Sequence, residues 1–288
     1  MRRTRRSGAF SSPVRARPSP GSRNRIGSLQ SEEITVTSRR TLSTKLQNRR
    51  DFLKATGAIV TVALIGSLPF AALAQTRASK KMKIGTLGSG RVGSAIGSAW
   101  VKAGHDVMFS SLDLEADKKL AASLGGGARA GTPREAAAFG DVLLVSVPYR
   151  ALPSLGKDLG DLIKGKIVID TSNPIVGRDG DMAVAAREKG AGVASMEFLP
   201  GARIVRAFNA IGAARMAEAR NSSERVGMPI AGDDPNAISV ASALVRDAGY
   251  EPVLVGTLAG MGKHLIPGTP LAGERSAEEI RKVAATLQ

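Results

Sequence analysis

Three glycines in Gly88-Ser89-Gly90-Arg91-Val92-Gly93 stand at the spacing G-x-G-x-x-G. An apolar run, "MKIGTLG" (82–88), precedes them, and an amphipathic segment, 91–104, follows. Between a strand and a helix each glycine has its own task. The first permits a tight turn, the second lets a pyrophosphate approach the backbone, and the third lets the helix pack close to the strand. The unpaired N–H groups and the dipole at the helix start attract phosphate. Ser89, Arg91 and Val92 complete this turn, whose chemistry is that of holding a dinucleotide. Other chemistries find little support. There is no cysteine, so a thiolate nucleophile, a thiolate zinc site and a disulfide are excluded. His105 and His264 are far apart, and no carboxylate cluster joins them into a metal site. Neither H-E-x-x-H nor G-x-S-x-G occurs, and no Lys or His general acid stands beside the turn. His264 could donate to a redox ring; a half-exposed helical histidine is the plainer reading.

The end of the second strand, 106–111, should meet the adenosine ribose. An NAD site usually has a carboxylate there. This chain has Ser110, Ser111 and Leu112, with Asp113 beyond. Two hydroxyls tolerate a 2′-phosphate, and Arg91 adds positive charge, so NADP is expected; Asp113 keeps NAD open.

Elements that must position this turn alternate along the chain. Strands are expected at 82–88, 106–111, 141–148, 165–174, 203–210, 227–233 and 251–256. Helical patterns cover 91–104, 114–125, 235–249 and a short segment from Ser276. The run "DVLLVSVP" (141–148) is apolar nearly throughout, as befits a strand buried on both faces. The expectation is an α/β fold: a Rossmann-like, doubly wound, mostly parallel sheet in a single domain, 82–288.

The net charge of +16 invites a nucleic-acid reading, but residues 1–74 hold 14 of the 41 Lys and Arg and only 3 of the 25 Asp and Glu. The excess therefore belongs to the leader. Aromatics are 3% of residues, too few for a base-stacking platform, and no nucleic-acid partner is expected. Residues 1–48 are rich in Arg, Ser and Pro with almost no apolar periodicity, so disorder is expected; a later start at Val36, Leu42 or Leu46 is the alternative. Arg49, Arg50, Phe52 and Leu53 then resemble the twin-arginine export motif, ahead of a weakly apolar run ending Ala72-Leu73-Ala74. Residues 49–74 read as a signal peptide cut before Gln75, and 75–81 as a linker. An uncleaved membrane anchor is the alternative. The expected location is periplasmic or secreted. The twin-arginine translocation machinery carries folded proteins, which suits a domain that takes up its cofactor before leaving.

The order and spacing of "IGTLGSGRVGSAI", "GHDVMFSS", "VSVPYRAL", "KIVIDTSNP", "RIVRAFNAIGA", "MPIAGDDPNA" and "AGYEPVLVGTLA" resemble the coenzyme F420-dependent NADP reductases. They are also similar to the nucleotide-binding domain of the six-transmembrane ferric reductases. The resemblance spans about residues 82–273. It implies that Ser111 contacts the 2′-phosphate, although the usual Arg neighbour is Leu112 here. It places Val147 and Pro148 on the ribose side of the cofactor, and Ser172, Asn173 and Pro174 beneath the nicotinamide. Ala207, Phe208 and Asn209 would hold the carboxamide end.

Hydride transfer from a nicotinamide to a flavin or deazaflavin (coenzyme F420) needs two rings held face to face and little acid–base help. After Gly256 only 32 residues remain, too few for a separate substrate domain. The acceptor is then expected at the sheet edge, under the Gly/Pro-rich loop, or against a partner subunit. Two alternatives stay open: a non-catalytic NAD(P)-binding module or sensor, and a small-substrate dehydrogenase with its pocket at a homodimer interface.

Overall fold

Short runs rich in Val, Ile and Leu, separated by helical segments, have one good packing solution: strands side by side, helices over both faces. A computed structural model describes residues 80–218 and 225–287. The leader, the twin-arginine motif, the signal peptide and most of the linker lie outside the described residues, as do 219–224 and 288.

The strands are β1 (Lys83–Leu87), β2 (Asp106–Ser110), β3 (Ala128–Ala130), β4 (Val142–Val145), β5 (Ile167–Asp170), β6 (Arg203–Arg206), β7 (Gly227–Gly232) and β8 (Glu251–Gly256). They form one sheet in the order β3-β2-β1-β4-β5-β6-β7-β8. The chain winds outward from β1 through β2 to β3, then returns to lay β4 on the other side of β1. That reversal opens a crevice at the carboxyl ends of β1 and β4, where open α/β sheets bind ligands. Every pairing is parallel except β6 with β7. Those two meet only at Val205↔Gly232 and Arg206↔Ala231. By this register the first part of β7 lies beyond the carboxyl end of β6.

Ten helices are described: α1 (Arg91–Lys102), α2 (Leu114–Leu124), α3 (Pro133–Phe139), α4 (Leu152–Ile163), α5 (Val176–Asp179), α6 (Asp181–Lys189), α7 (Ala191–Phe198), α8 (Ala213–Glu218), α9 (Pro235–Asp247) and α10 (Ala277–Ala285). The fold class is the expected one. Sequence patterning found neither β3 nor the helices from α3 to α8. Ala128-Arg129-Ala130 is too short to establish a period, α5 is a single turn, and α6 and α7 are short and rich in Ala.

Period-two geometry sends neighbouring β4 residues to opposite cores. Val142 and Leu144 pack with Ile84, Trp100, Phe109 and Ile169. Leu143 and Val145 pack with Leu87, Leu152, Val168 and Ile204 on the other face. Full burial of such a side chain contributes about 1.5–3 kcal/mol. Trp100 fastens α1 to α9: its indole N–H donates to the Leu244 carbonyl at 2.7 Å, and its ring meets Phe208 edge-on at 6.2 Å. His105 is structural as well. It accepts from the Met82 N–H at 3.2 Å and pairs with Asp247 at 3.0 Å.

Asp234 caps α9 by accepting from the Ala237 N–H, and it takes a two-pronged contact from Arg203. The Arg203 guanidinium and the helix N–H hold its carboxyl at about 2. A depressed carboxyl contributes stability that is complete above its unfolded value near 4 and is lost as pH falls through the folded one. The drop in melting temperature between pH 4 and pH 2 should therefore be smaller in Asp234→Asn than in the parent protein. Equal drops would remove this pair from the acid response.

Candidate functional site

The glycine turn is built as its spacing requires. Gly88 follows β1 with φ of 99°, a left-handed conformation that favours glycine. Its N–H and that of Ser89 donate to the Ser110 carbonyl at 2.9 and 3.0 Å, which ties the turn to the end of β2. A Cβ on Gly93 would stand 2.0 Å from the Gly88 carbonyl oxygen, so only glycine lets α1 approach β1 this closely. A Cβ on Gly90 would meet none of the described residues within 4 Å. Gly90 precedes α1 without a side-chain cap. The first amides of α1 therefore keep their hydrogen-bonding capacity for a ligand.

A cleft of about 490 Å³ opens in front of that turn. Gly90, Arg91 and Val92 form one wall; Ser146, Val147 and Pro148 follow from β4. Thr171 and Asn173 come from the end of β5, Asn209 to Ala213 from beyond β6, and Pro267 and Gly268 from the loop after β8. Five short segments, remote in sequence, thus converge at the carboxyl ends of these strands.

Of the expected cofactor contacts, Gly90, Arg91, Val92, Val147, Pro148, Asn173 and Asn209 line this cleft. Gly88 and Gly93 shape its turn. Ser110, Ser172, Pro174, Ala207 and Phe208 are instead buried around it. The Ser110 hydroxyl donates to the Thr86 carbonyl at 2.7 Å. Pro174 is covered, and its carbonyl accepts from Arg187. Phe208, at φ of 62°, is wedged edge-on between Trp100 and Tyr250. These residues build the floor that sets the wall.

The ribose end holds a residue that sequence reasoning passed over. Asp117, on the first turns of α2, is 2% exposed. Its carboxylate accepts from the hydroxyls of both Ser89 and Ser111, the latter at 2.8 Å. Asp113, the carboxylate expected there, is occupied as the α2 cap, accepting from the Ala116 N–H at 3.0 Å. One helical turn separates the two acids, and that spacing was the available signal. Leu112 lies fully exposed beside them.

At the opposite end, Arg178 grips Asp179 through two nitrogens and donates to the Asn173 carbonyl at 2.8 Å. Burial pushes the Asp179 carboxyl up. Arg178 and the amides of Ile175 and Arg150 outweigh it and hold the group below the usual carboxylate range. The Asn173 loop is thereby pinned from outside. Tyr149 is no acid near neutral pH, because burial lifts its phenol to about 12 and it donates to the Ala191 carbonyl at 2.8 Å. His264 sits on a single helical turn, Gly262–His264, outside the cleft wall, with burial and then Lys263 lowering its pKa.

Residues 83–174, from β1 to the loop after β5, match the protein family described as NADP oxidoreductase, coenzyme F420-dependent. Among solved structures, a hypothetical protein from Sinorhizobium meliloti is 24% identical, covering 68% of this chain and 95% of its own, with a TM-score of 0.59. A candidate F420-dependent NADP-reductase from Arthrobacter sp. FB24 is 18% identical, covering 65% of this chain and 90% of its own, with a TM-score of 0.51. Likenesses at this identity show the fold. No curated protein matches the chain.

Proposed function

We propose that this chain is an NAD(P)-dependent oxidoreductase that holds a nicotinamide dinucleotide along the glycine turn, NADP or, with Asp117 disfavouring a 2′-phosphate, NAD, and passes hydride between its nicotinamide and a flavin-like ring, either a flavin or coenzyme F420. The observation that carries the reading is the open space at Gly90, in front of an uncapped helix and at the point where the strand order reverses. The family match over residues 83–174 supports it. When bound, the nicotinamide supplies the hydride. The chain's own residues bind and orient: the α1 amides face the diphosphate, the β2 end takes the adenosine, and the segments after β4, β5 and β6 take the nicotinamide end. Ile175, 42% exposed, lines the cleft beside Val147 and gives its wall an apolar patch suited to a flat acceptor.

Oxidation of NADPH by the purified full chain, with riboflavin, FMN, FAD, coenzyme F420 or a ferric chelate as acceptor, tests the reading. Turnover with at least one is expected. Tight NADPH binding without turnover on any would leave a nucleotide-binding module instead.

The same reading includes export through the twin-arginine route, supported by Arg49, Arg50, Phe52 and Leu53 ahead of Ala72-Leu73-Ala74. Intact-mass measurement of the exported protein should give a terminus at Gln75. A membrane-bound species retaining residues 49–74 would replace cleavage with anchoring.

A further inference from the structure

Beneath the nicotinamide end of the cleft lies an ion pair that the proposed reaction does not use. Asp170 on β5 and Arg206 on β6 are cross-strand partners in the sheet register, and both are fully buried. One terminal nitrogen of Arg206 donates to Asp170 Oδ2 at 2.7 Å. The same carboxylate accepts from Ser195 Oγ and from the Ser172 N–H, each at 2.8 Å. The other terminal nitrogen, Nη2, donates to the carbonyls of Ser172 at 3.1 Å and Leu265 at 3.0 Å, and to Asn173 Oδ1 at 3.3 Å.

The last contact decides an orientation. A guanidinium has only donors, so the face of the Asn173 amide turned toward it must be the oxygen. Asn209 Nδ2 donates to that same oxygen at 3.4 Å, which reinforces the choice. Asn173 Nδ2 is then turned the other way. One of its hydrogens goes to the Asn209 carbonyl at 3.3 Å. The second remains for the cleft, which Asn173 lines.

The placement also limits what this donor can meet. With the diphosphate at α1 and the adenosine toward β2, the other half of a dinucleotide must run toward β4 and β5. Strands lie about 4.8 Å apart, so β5 stands roughly 10 Å from β1, within reach of the nicotinamide ring. We infer that Arg206 is a positioning residue that locks the Asn173 amide with its donor edge toward the cleft, and that Asn173 Nδ2 donates to the carboxamide oxygen of the nicotinamide. This inference rests on the nucleotide reading proposed above.

Equilibrium binding to the full chain tests it with NADP, thionicotinamide-NADP, in which sulfur replaces that oxygen, and the ringless 2′-phospho-ADP-ribose. The parent protein should bind NADP about tenfold more tightly than the thio analogue, the loss expected for one good hydrogen bond. Asn173→Asp keeps an oxygen facing Arg206 but presents an acceptor to the cleft. It should weaken NADP about tenfold or more, leave the ringless ligand unchanged, and abolish the oxygen–sulfur difference. Arg206→Lys should lose part of the same discrimination, since an ammonium spans fewer of these acceptors. If that variant fails to fold, the parent and Asn173→Asp measurements decide alone. An unchanged ratio of NADP to ringless ligand in Asn173→Asp overturns the inference while leaving the nucleotide site standing. Failure of every nucleotide to bind the parent protein overturns both.

Discussion

Gly90→Val should lower dinucleotide affinity by about a hundredfold, roughly 2.7 kcal/mol, with no change in melting temperature. The space for the new side chain exists, because none of the described residues lies within 4 Å of a Cβ there. That space is the approach path of the diphosphate, so two methyl groups would stand between phosphate oxygens and the α1 amides. Gly93→Val should behave in the opposite way. Its Cβ would fall 2.0 Å from a backbone oxygen that no rotamer change can clear, and overpacking of this kind costs about 1–3 kcal/mol. For a domain of this size, that lowers the melting temperature by several degrees, at about 2–4 °C per kcal/mol. Titration of both variants with NADPH, beside a thermal melt, separates a glycine kept for a ligand from one kept for packing. Unaltered affinity in Gly90→Val would move the diphosphate elsewhere.

The second large effect concerns the adenosine ribose. Asp117 holds the hydroxyls of Ser89 and Ser111, and a 2′-phosphate would need those same donors. A carboxylate about 5 Å from a phosphate charge repels it by roughly 3 kcal/mol at an effective dielectric near 20. Asp117→Asn removes the charge and frees hydroxyls to turn toward the phosphate. It should raise the NADP-to-NAD affinity ratio by about tenfold or more, since each 1.4 kcal/mol is tenfold. Leu112→Arg should raise the ratio again by about tenfold. Leu112 is fully exposed, so nothing is unpacked by replacing it, and a guanidinium suits a phosphate. The measurement is the ratio of the two dissociation constants in each variant. If neither variant moved it, the ribose would not lie at the end of β2.

Which parts of this were legible beforehand follows from range. Gly88, Gly90 and Gly93 are understood from six consecutive residues, because turn geometry, backbone approach and helix packing are local demands. "DVLLVSVP" announced a doubly buried strand by composition alone, and Ser276 announced α10, where it forms a capping box with Glu279. Ala128–Ala130 is too short to carry a period and shows as a strand only in its pairing with the edge of β2. The antiparallel direction of β7 shows only in its pairing with β6, at Val205↔Gly232 and Arg206↔Ala231. The site divides in the same way. Asn173 and Asn209 were found by motif, but Asp117 acquires a role only when α2 folds back over the glycine turn. Arg206 looks like an ordinary strand residue in "RIVR" until sheet register sets it against Asp170, 36 positions away. Hydrophobic period and glycine spacing are written in neighbouring residues. The meeting of charges and amides is decided by strand order and register, which exist only once the whole sheet has formed.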